Sequence, residues 1–417
     1  IFCLSDWHTS YTTHNQHGPR RNVEVLKDHI FQTRNAVNRW IDWVDIKEKD
    51  INHYVFNASV NKGMIPLLEK VWPEVRRQLP DAYLTVIGGY YQYPGADADD
   101  SVKRVWAFQE QFKRDPKVNF TGIITQSKIA EIVASAGWTI YPGVFPETSG
   151  ISTLESITYC TPVLGCRFGA LEESATELAS YFIDYPVEPN GLFPSIDSPS
   201  QIRKFIDIVV SAARNPYLYQ QKQYACNRIR EVATWDTVAL QWKQHFYQQY
   251  DLELSAQELA KVKWINYRVH EVFGRRFSNP CEIDIPRITT SLADQLTQKN
   301  VKLAIVDIPG MSYDGSTLSR RGLGGSESAV ILVSAELAKM GFSVTVFNGC
   351  DEDDSTPGVY DNVTYRPIHE IANDPCEFDV VISSRTVMPF ITNQFYNVNL
   401  NLPRTYSYDL FTKLRNN

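Results

Sequence analysis

Two carboxylates, Glu147 and Glu155, stand eight positions apart in the stretch Tyr141-Pro142-Gly143-Val144-Phe145-Pro146-Glu147-Thr148-Ser149-Gly150-Ile151-Ser152-Thr153-Leu154-Glu155. The stretch predicts a loop that leaves a strand, passes a glycine and enters a helix near Ile151. The first-turn amides of that helix, around Gly150, Ile151 and Ser152, lack intrahelical partners and can receive an anion such as a diphosphate. A carboxylate beside such a site repels phosphate unless it serves hydroxyls. Ribose and hexose hydroxyls are its natural partners, because each ionised oxygen accepts a short charge-assisted bond. In isolation the pair also has a bland reading: Glu147 is a solvated loop residue, and Glu155 merely favours the positive end of a helix, an effect of about 0.3–1 kcal/mol.

The elements needed to position these groups are legible as patterns. From about Val37 onward, apolar runs of strand length alternate with segments of helical period, as in a parallel sheet wrapped by helices. A helix from Ile65 through Val75 precedes the strand Tyr83–Ile87. A short strand at Val118–Phe120 leads to a helix over Ser127–Ala136 and a strand at Trp138–Tyr141. A helix over Ile151–Tyr159 then precedes a strand at Pro162–Leu164. Helices are expected over Trp235–Tyr250 and Ala256–Phe273. Between Gly274 and Asn300 the text turns polar and proline-broken and reads as a linker. A second unit begins at Lys302, with a strand at Leu303–Asp307, a helix over Ser326–Lys339 and strands at Ser343–Phe347, Val380–Ser383 and Thr405–Tyr408.

Bulk properties narrow the function classes. The 417 residues are 43% hydrophobic and 12% aromatic, enough for two or three domains. The formal net charge is −7, so no global positive field exists to hold a nucleic acid or an anionic membrane surface. No apolar run approaches the ~20 residues of a membrane span and no signal-peptide pattern opens the chain, which reads as soluble and cytoplasmic. Seven cysteines without C-x-x-C pairs argue for reduced thiols, with Cys160 and Cys166 as small core residues. The chain opens on Ile1 and closes on Asn417 just past a predicted strand, and both ends read as cuts inside a larger design.

The stretch from Tyr141 to Glu155 resembles the E-x7-E signature of glycosyltransferase family 4, retaining enzymes of GT-B fold. Thr161-Pro162-Val163-Leu164-Gly165 and Gly169-Ala170-Leu171-Glu172-Glu173 are similar to the residues that follow in that family. So is the upstream run Asn57-Ala58-Ser59-Val60-Asn61-Lys62-Gly63 with Leu67-Leu68, Trp72, Pro80-Asp81-Ala82 and Gly88-Gly89. The resemblance implies an α/β, GT-B architecture of two Rossmann-like domains whose parallel sheets face across a cleft. It implies that Lys62 neutralises the donor diphosphate, that Glu155 holds ribose hydroxyls and Glu147 the transferred sugar, and that Ile123 in Gly122-Ile123-Ile124 lies against the nucleotide base. A lone loop lysine is ordinarily just solvated, and Ile123 is equally readable as core. Where the family commonly has an arginine ahead of the lysine, Asn57 and Ala58 stand here.

Arg321-Gly322-Leu323-Gly324-Gly325-Ser326-Glu327 does not fit the dinucleotide fingerprint G-x-G-x-x-G. It resembles the Gly-Gly-Ser-Glu motif of the acceptor-side domain in a family 4 subgroup, which implies that Gly324 and Gly325 face the donor phosphates. Thr405-Tyr406-Ser407-Tyr408-Asp409 has tyrosine where the subgroup often has histidine. Ile1-Phe2-Cys3-Leu4-Ser5-Asp6-Trp7-His8 resembles the strand and turn that follow next. In family order, residues 300–417 and then 1–35 read as one acceptor-side domain, 36–250 as the donor domain and 251–299 as helix and linker.

The expected reaction is transfer of a sugar from a nucleoside-diphosphate sugar to a carbohydrate or glycoconjugate acceptor, with retention, without metal and without a cofactor beyond the donor. Three alternatives stay open: a fragment spanning two consecutive transferases, a circular permutant closing its own cleft, or a non-catalytic nucleotide-sugar-binding or assembly module. Exchange of halves between chains, or a homo-oligomer, is equally compatible with the order. Asp97-Ala98-Asp99 imitates a metal-binding D-x-D but reads as a capping loop. His8, His14 and His17 lack ligand spacing, and Asp351-Glu352-Asp353-Asp354 reads as a solvated loop.

Overall fold

A computed structural model describes residues 2–3, 31–38, 49–59, 62–88, 100–112, 114–143, 147–184, 199–249, 252–273, 301–307, 311–373, 378–384 and 406–407. The two short strands β1 (Phe2–Cys3) and β2 (Phe31–Gln32) pair in parallel with each other. The chain then runs through β3 (Asp50–Phe56), helix α1 in three sections (Met64–Pro66, Leu67–Val71 and Trp72–Gln78), β4 (Tyr83–Ile87), α2 (Asp100–Phe112), β5 (Val118–Gly122), α3 (Gln126–Ser135) and β6 (Ala136–Tyr141). It continues with α4 (Ile151–Thr158), β7 (Val163–Arg167), α5 (Leu171–Ala175), β8 (Ser180–Asp184), α6 (Pro199–Ala213) and α7 (Pro216–Arg230). After α8 (Trp235–Gln249) and α9 (Ala256–Phe273) come β9 (Lys302–Asp307), α10 (Thr317–Arg320), α11 (Gly325–Lys339) and β10 (Ser343–Asn348). The described chain finishes with β11 (Gly358–Tyr360), β12 (Val363–Pro367), β13 (Val380–Ser384) and β14 (Tyr406–Ser407).

The chain divides into two compact units, one of residues 37–234 with 271–274, the other of 1–36, 235–270 and 275–417. In the first, six parallel strands run in the order β5-β4-β3-β6-β7-β8. Numbered within the unit this is 3-2-1-4-5-6, the doubly wound Rossmann order, whose direction reverses between β3 and β6. Helices cover both faces because strand residues alternate. Tyr54, Phe56, Leu84, Val86, Trp138 and Ile140 join the core shared with α1 and α6, whereas Val55 and Ile87 pack with α3 residues and Tyr141 and Val163 with α4 and α7 residues.

Helix α1 runs through a π turn, Leu67–Val71. Pro73 has no N–H to give the Glu69 carbonyl and its ring would crowd that group, so the turn just before it widens and the Trp72 amide reaches back to the Leu67 carbonyl. The distortion leaves Leu67, Leu68, Val71, Trp72 and Val75 buried, each large apolar side chain contributing about 1.5–3 kcal/mol.

The second unit has the strand order β11-β12-β10-β9-β13-β14, parallel except for the edge pair β11–β12. It too reverses beside its first strand, between β9 and β13. Helix α8 packs against α11, with Phe246 edge-on to Phe342 at 6.1 Å and the Lys243 ammonium donating to the Met340 carbonyl at 3.4 Å. The sequence pattern puts the end of the donor domain at residue 250; the compact units divide at 234/235, and α8 packs with α11 in the second unit.

Among the described residues Phe2–Cys3 pairs with Phe31–Gln32, and Tyr406–Ser407 pairs with β13; residues 1–36 and 275–417 fall in the same compact unit. Asp97, Asp99, the three histidines near the start, Tyr408, Asp409 and the 274–300 linker lie outside the described residues.

Candidate functional site

A doubly wound sheet opens a crevice at the carboxyl ends of the strands where its order reverses, because the connections leave in opposite directions there. In the first unit that place is the end of β3 beside the end of β6. From β3 the chain passes Asn57 and reaches Lys62, whose backbone amide closes a turn on the Ser59 carbonyl at 2.9 Å. Gly63 follows with φ +108°, a left-handed conformation that a side chain would strain, and a Cβ there would lie 3.1 Å from Cγ of Pro142. The loops after β3 and β6 therefore touch at Gly63 and Pro142-Gly143.

This contact brings Lys62 and Glu147 together across 85 residues of sequence (147 − 62). The Lys62 ammonium is 2.6 Å from Oε1 of Glu147, and the phenol of Tyr141 donates to the same oxygen at 2.5 Å. Glu147 is buried, 5% exposed, which removes the solvated-loop reading. Its carbonyl accepts from the Ala170 amide at 2.8 Å, and the Ser149 carbonyl accepts from the Ser174 hydroxyl, so the loop is tied to the turn before α5.

Gly150 then starts α4 with φ 63° and ψ 56°. The Thr153 and Leu154 amides bond back to the Gly150 carbonyl, so those of Ile151 and Ser152 precede the first intrahelical bond. Within α4, Ile151, Ser152 and Glu155 are half-buried and the remaining residues buried. Spacings of three and four residues place those three on one face. The Glu155 carboxylate makes no hydrogen bond or ion pair with a described residue, and burial pushes its carboxyl up to about 7. A half-buried carboxylate without a partner among the described residues, on the same face as a helix start, is equipped to accept hydrogen bonds from a ligand's hydroxyls.

A polar web below holds α4 in place. The Thr139 hydroxyl of β6 donates to Ser156 Oγ at 2.7 Å, which donates to the Ser152 carbonyl at 2.8 Å. Asn57 Nδ2 donates to that carbonyl at 3.1 Å, while Asn57 Oδ1 is buried without a hydrogen-bond partner among the described residues. In the region where the family commonly has an arginine ahead of the lysine, this chain has a neutral amide that bonds to the helix.

Sequence reasoning did not find Tyr141 or the Asn57 and Thr139 contacts. Tyr141 is the last of six wholly buried strand residues, and nothing in an apolar run marks which member spends a polar atom on a site. Ile123 follows Gly122 on the same rim, after β5, and is 40% exposed. Three strand spacings separate β5 from β6, about 14 Å, so Ile123 stands apart from Glu147.

Gly324 and Gly325 belong to the second unit. Gly324 caps α11 in extended conformation, and a Cβ on it would lie 2.4 Å from an oxygen of the buried Glu327. The turn is braced by Arg321, which donates to the Ser312 carbonyl at 2.6 Å and pairs with Asp354 at 3.2 Å. Residues 351–354 are exposed, as a solvated loop should be, though Asp354 also pairs with Arg320 at 3.1 Å. Among the described residues no cluster of three metal-ligating side chains occurs, and no helix is long and apolar enough to cross a membrane.

Several solved structures are similar to this chain at low identity. A glycosyltransferase from Rickettsia africae ESF-5 is 15% identical with a TM-score of 0.41, over 56% of this chain and 58% of that one. Sucrose-phosphate synthase from Thermosynechococcus elongatus is 15% identical with a TM-score of 0.41, over 60% and 57%. Anabaena HepE in complex with UDP and glucose is 14% identical with a TM-score of 0.39, over 56% and 58%. The chain thus spans less than two thirds of the length of each. No curated protein sequence matches it. Residues 52–188, which run from within β3 past the end of β8 and include Lys62, Glu147, Gly150 and Glu155, match the family model described as Glycosyl transferases group 1.

Proposed function

We propose that the unit of residues 37–234 is the donor-binding half of a retaining glycosyltransferase that uses a nucleoside-diphosphate sugar. The observation that carries this reading is the convergence of Lys62, Glu147 and the start of α4 at the reversal point of a doubly wound sheet. A diphosphate there meets the Ile151 and Ser152 amides and the Lys62 ammonium. Glu155 accepts ribose hydroxyls and Glu147 a hydroxyl of the sugar. In the other unit, the Gly324-Gly325 turn ahead of α11 is a further helix start suited to phosphate.

The proposed reaction is a front-face transfer. The bond from the anomeric carbon to the diphosphate oxygen breaks, and the acceptor hydroxyl oxygen bonds to that carbon on the same face. The acceptor proton passes to the departing diphosphate, leaving a nucleoside diphosphate and a glycosylated acceptor. Lys62 and the helix start stabilise the charge that develops on the leaving group, and the step needs no metal. The described cysteines, Cys160, Cys166, Cys226 and Cys350, are buried and in no disulfide, in keeping with a reducing compartment such as the cytoplasm.

A second reading, a nucleotide-sugar-binding module without turnover, is favoured by two features: Asn57 supplies no charge, and Lys62 is already paired with Glu147. Titration with nucleoside diphosphates, followed by turnover of the bound donor with a mixed pool of carbohydrate acceptors, separates the readings. Binding with turnover supports the transferase, binding alone the module. No binding of any nucleoside diphosphate overturns both.

A further inference from the structure

Oε1 of Glu147 is held from two sides, by the Lys62 ammonium at 2.6 Å and the Tyr141 phenol at 2.5 Å, whereas Oε2 makes no hydrogen bond with a described residue. Tyr141 ends β6, is wholly buried, and lies with its ring nearly parallel to that of Phe56, centroids 6.4 Å apart. Burial first, then the charge of Glu147 and the hydrogen bond to it, push the phenol well above its ordinary range. Tyr141 therefore keeps its proton and acts as a fixed donor.

The backbone of Glu147 is anchored independently through Ala170. What the phenol adds is the orientation of the carboxylate about its last torsion, which is otherwise broad and roughly two-fold. Lys62 alone does not supply that orientation, since an ammonium on a flexible stem follows whichever oxygen is nearer.

We infer that Tyr141 is a positioning residue for the transferred sugar: it pins Oε1 of Glu147 beside Lys62 so that Oε2 is the oxygen presented to a sugar hydroxyl. The inference rests on the donor-site reading above. Without the phenol proton the carboxylate rotates toward Lys62, and the sugar loses its oriented acceptor while the diphosphate keeps its helix start.

The test is calorimetric titration of the wild type, Tyr141→Phe and Phe56→Leu with nucleoside diphosphates and the matching sugar nucleotides carrying glucose, galactose or N-acetylglucosamine. In Tyr141→Phe the nucleoside diphosphate affinity should be unchanged, and the extra affinity conferred by the preferred sugar should fall by about tenfold, the effect of one bond to a charged group. Phe56→Leu disturbs the ring packing but leaves the hydroxyl, and should retain the sugar increment. Equal losses for both ligand types in Tyr141→Phe, an unchanged sugar increment there, or a Phe56→Leu that copies Tyr141→Phe would overturn the inference. So would a wild type that gains nothing from any sugar. A wild type that binds no nucleoside diphosphate fails the donor-site reading itself, a result distinct from these.

Discussion

The Lys62 ammonium and Oε1 of Glu147 neutralise each other at 2.6 Å, although the two groups are assigned to different parts of one donor. The pair is largely buried, so each charge has surrendered hydration that the other must replace. On the proposed reading, a diphosphate entering the site would compete with Glu147 for Lys62.

Glu147→Ala should therefore leave nucleoside diphosphate affinity unchanged or raise it a few-fold, while lowering the rate of sugar transfer by about tenfold to a hundredfold. Lys62→Ala should weaken the diphosphate by about the same factor. Calorimetry and donor turnover read the two effects separately. A tenfold loss of diphosphate affinity in Glu147→Ala would show that the carboxylate belongs to the phosphate site after all.

Gly150 is required both by its backbone and by its neighbours. Its φ of 63° is a left-handed conformation, and a Cβ would stand 3.0 Å from Leu171 Cδ2 and from Thr153 Oγ1. Gly341 offers a control, with φ +93° and no neighbouring atom within 4 Å of where a methyl group would stand. Gly341→Ala should cost about 1–2 kcal/mol, the left-handed penalty alone. Gly150→Ala should cost more, and should also weaken diphosphate binding by displacing the start of α4. Denaturant unfolding of both variants checks the order; equal costs would deny the close packing of α4 against α5.

Glu155 links binding to pH. Burial raises its carboxyl from the ordinary 4.5 to about 7, so the folded protein holds a proton that the unfolded chain releases between those values. Keeping the ionised form in the fold costs stability that is absent below 4.5 and fully present above about 7. Glu155→Gln should then stabilise the protein at pH 8 and not at pH 4.5. Hydroxyl recognition needs the ionised form, so wild-type affinity for a nucleoside diphosphate should rise as pH passes through 7. The ligand's own phosphate titration cancels in the ratio to Glu155→Gln. A ratio constant from pH 6 to 8 would remove Glu155 from the donor site.

How much of this is visible in the sequence depends on whether a residue's partner is local. The passage from β6 into α4 announces itself because glycine, a helix start and two acidic residues fall within fifteen positions of text, and the structure keeps all of them on one loop and one helix face. Strand β3 does not announce itself. Asp50, Asn52 and His53 occupy its first half, and its burial rises only toward Phe56. Yet β3 is one of the two central strands, and the candidate site depends on its end lying beside the end of β6. Strand order is a long-range property that period and composition do not encode. The same limit hides Tyr141, whose partner is chosen by a loop closing back on the strand. It also hides the pairing of Phe2–Cys3 with Phe31–Gln32, because likeness to a strand carries no information about which strand it joins.

Lys49 supplies the last prediction, at the amino-terminal side of the same sheet. It is buried, 9% exposed, and its ammonium donates to the Tyr159 carbonyl at 2.5 Å and to Thr161 Oγ1 at 2.6 Å, with the Val133 carbonyl at 3.4 Å. No carboxylate of a described residue pairs with it. Burial lowers its pKa from the ordinary 10.5 to about 7, against a smaller opposite effect of Cys160 and Cys226. Between pH 7 and 10.5 the unfolded chain therefore binds more protons than the folded one, and stability rises with pH across that window. Lys49→Met removes this dependence. It also removes the bonds that Lys49 donates to the Tyr159 carbonyl and to Thr161 Oγ1, a loss of about 1–3 kcal/mol that does not vary with pH. Thermal unfolding of both proteins at pH 7, 8, 9 and 10 separates the two effects, because the first appears as a wild-type advantage that grows with pH and the second as a constant offset. Parallel curves would mean that Lys49 keeps its proton throughout, held by its three acceptors and not expelled by burial.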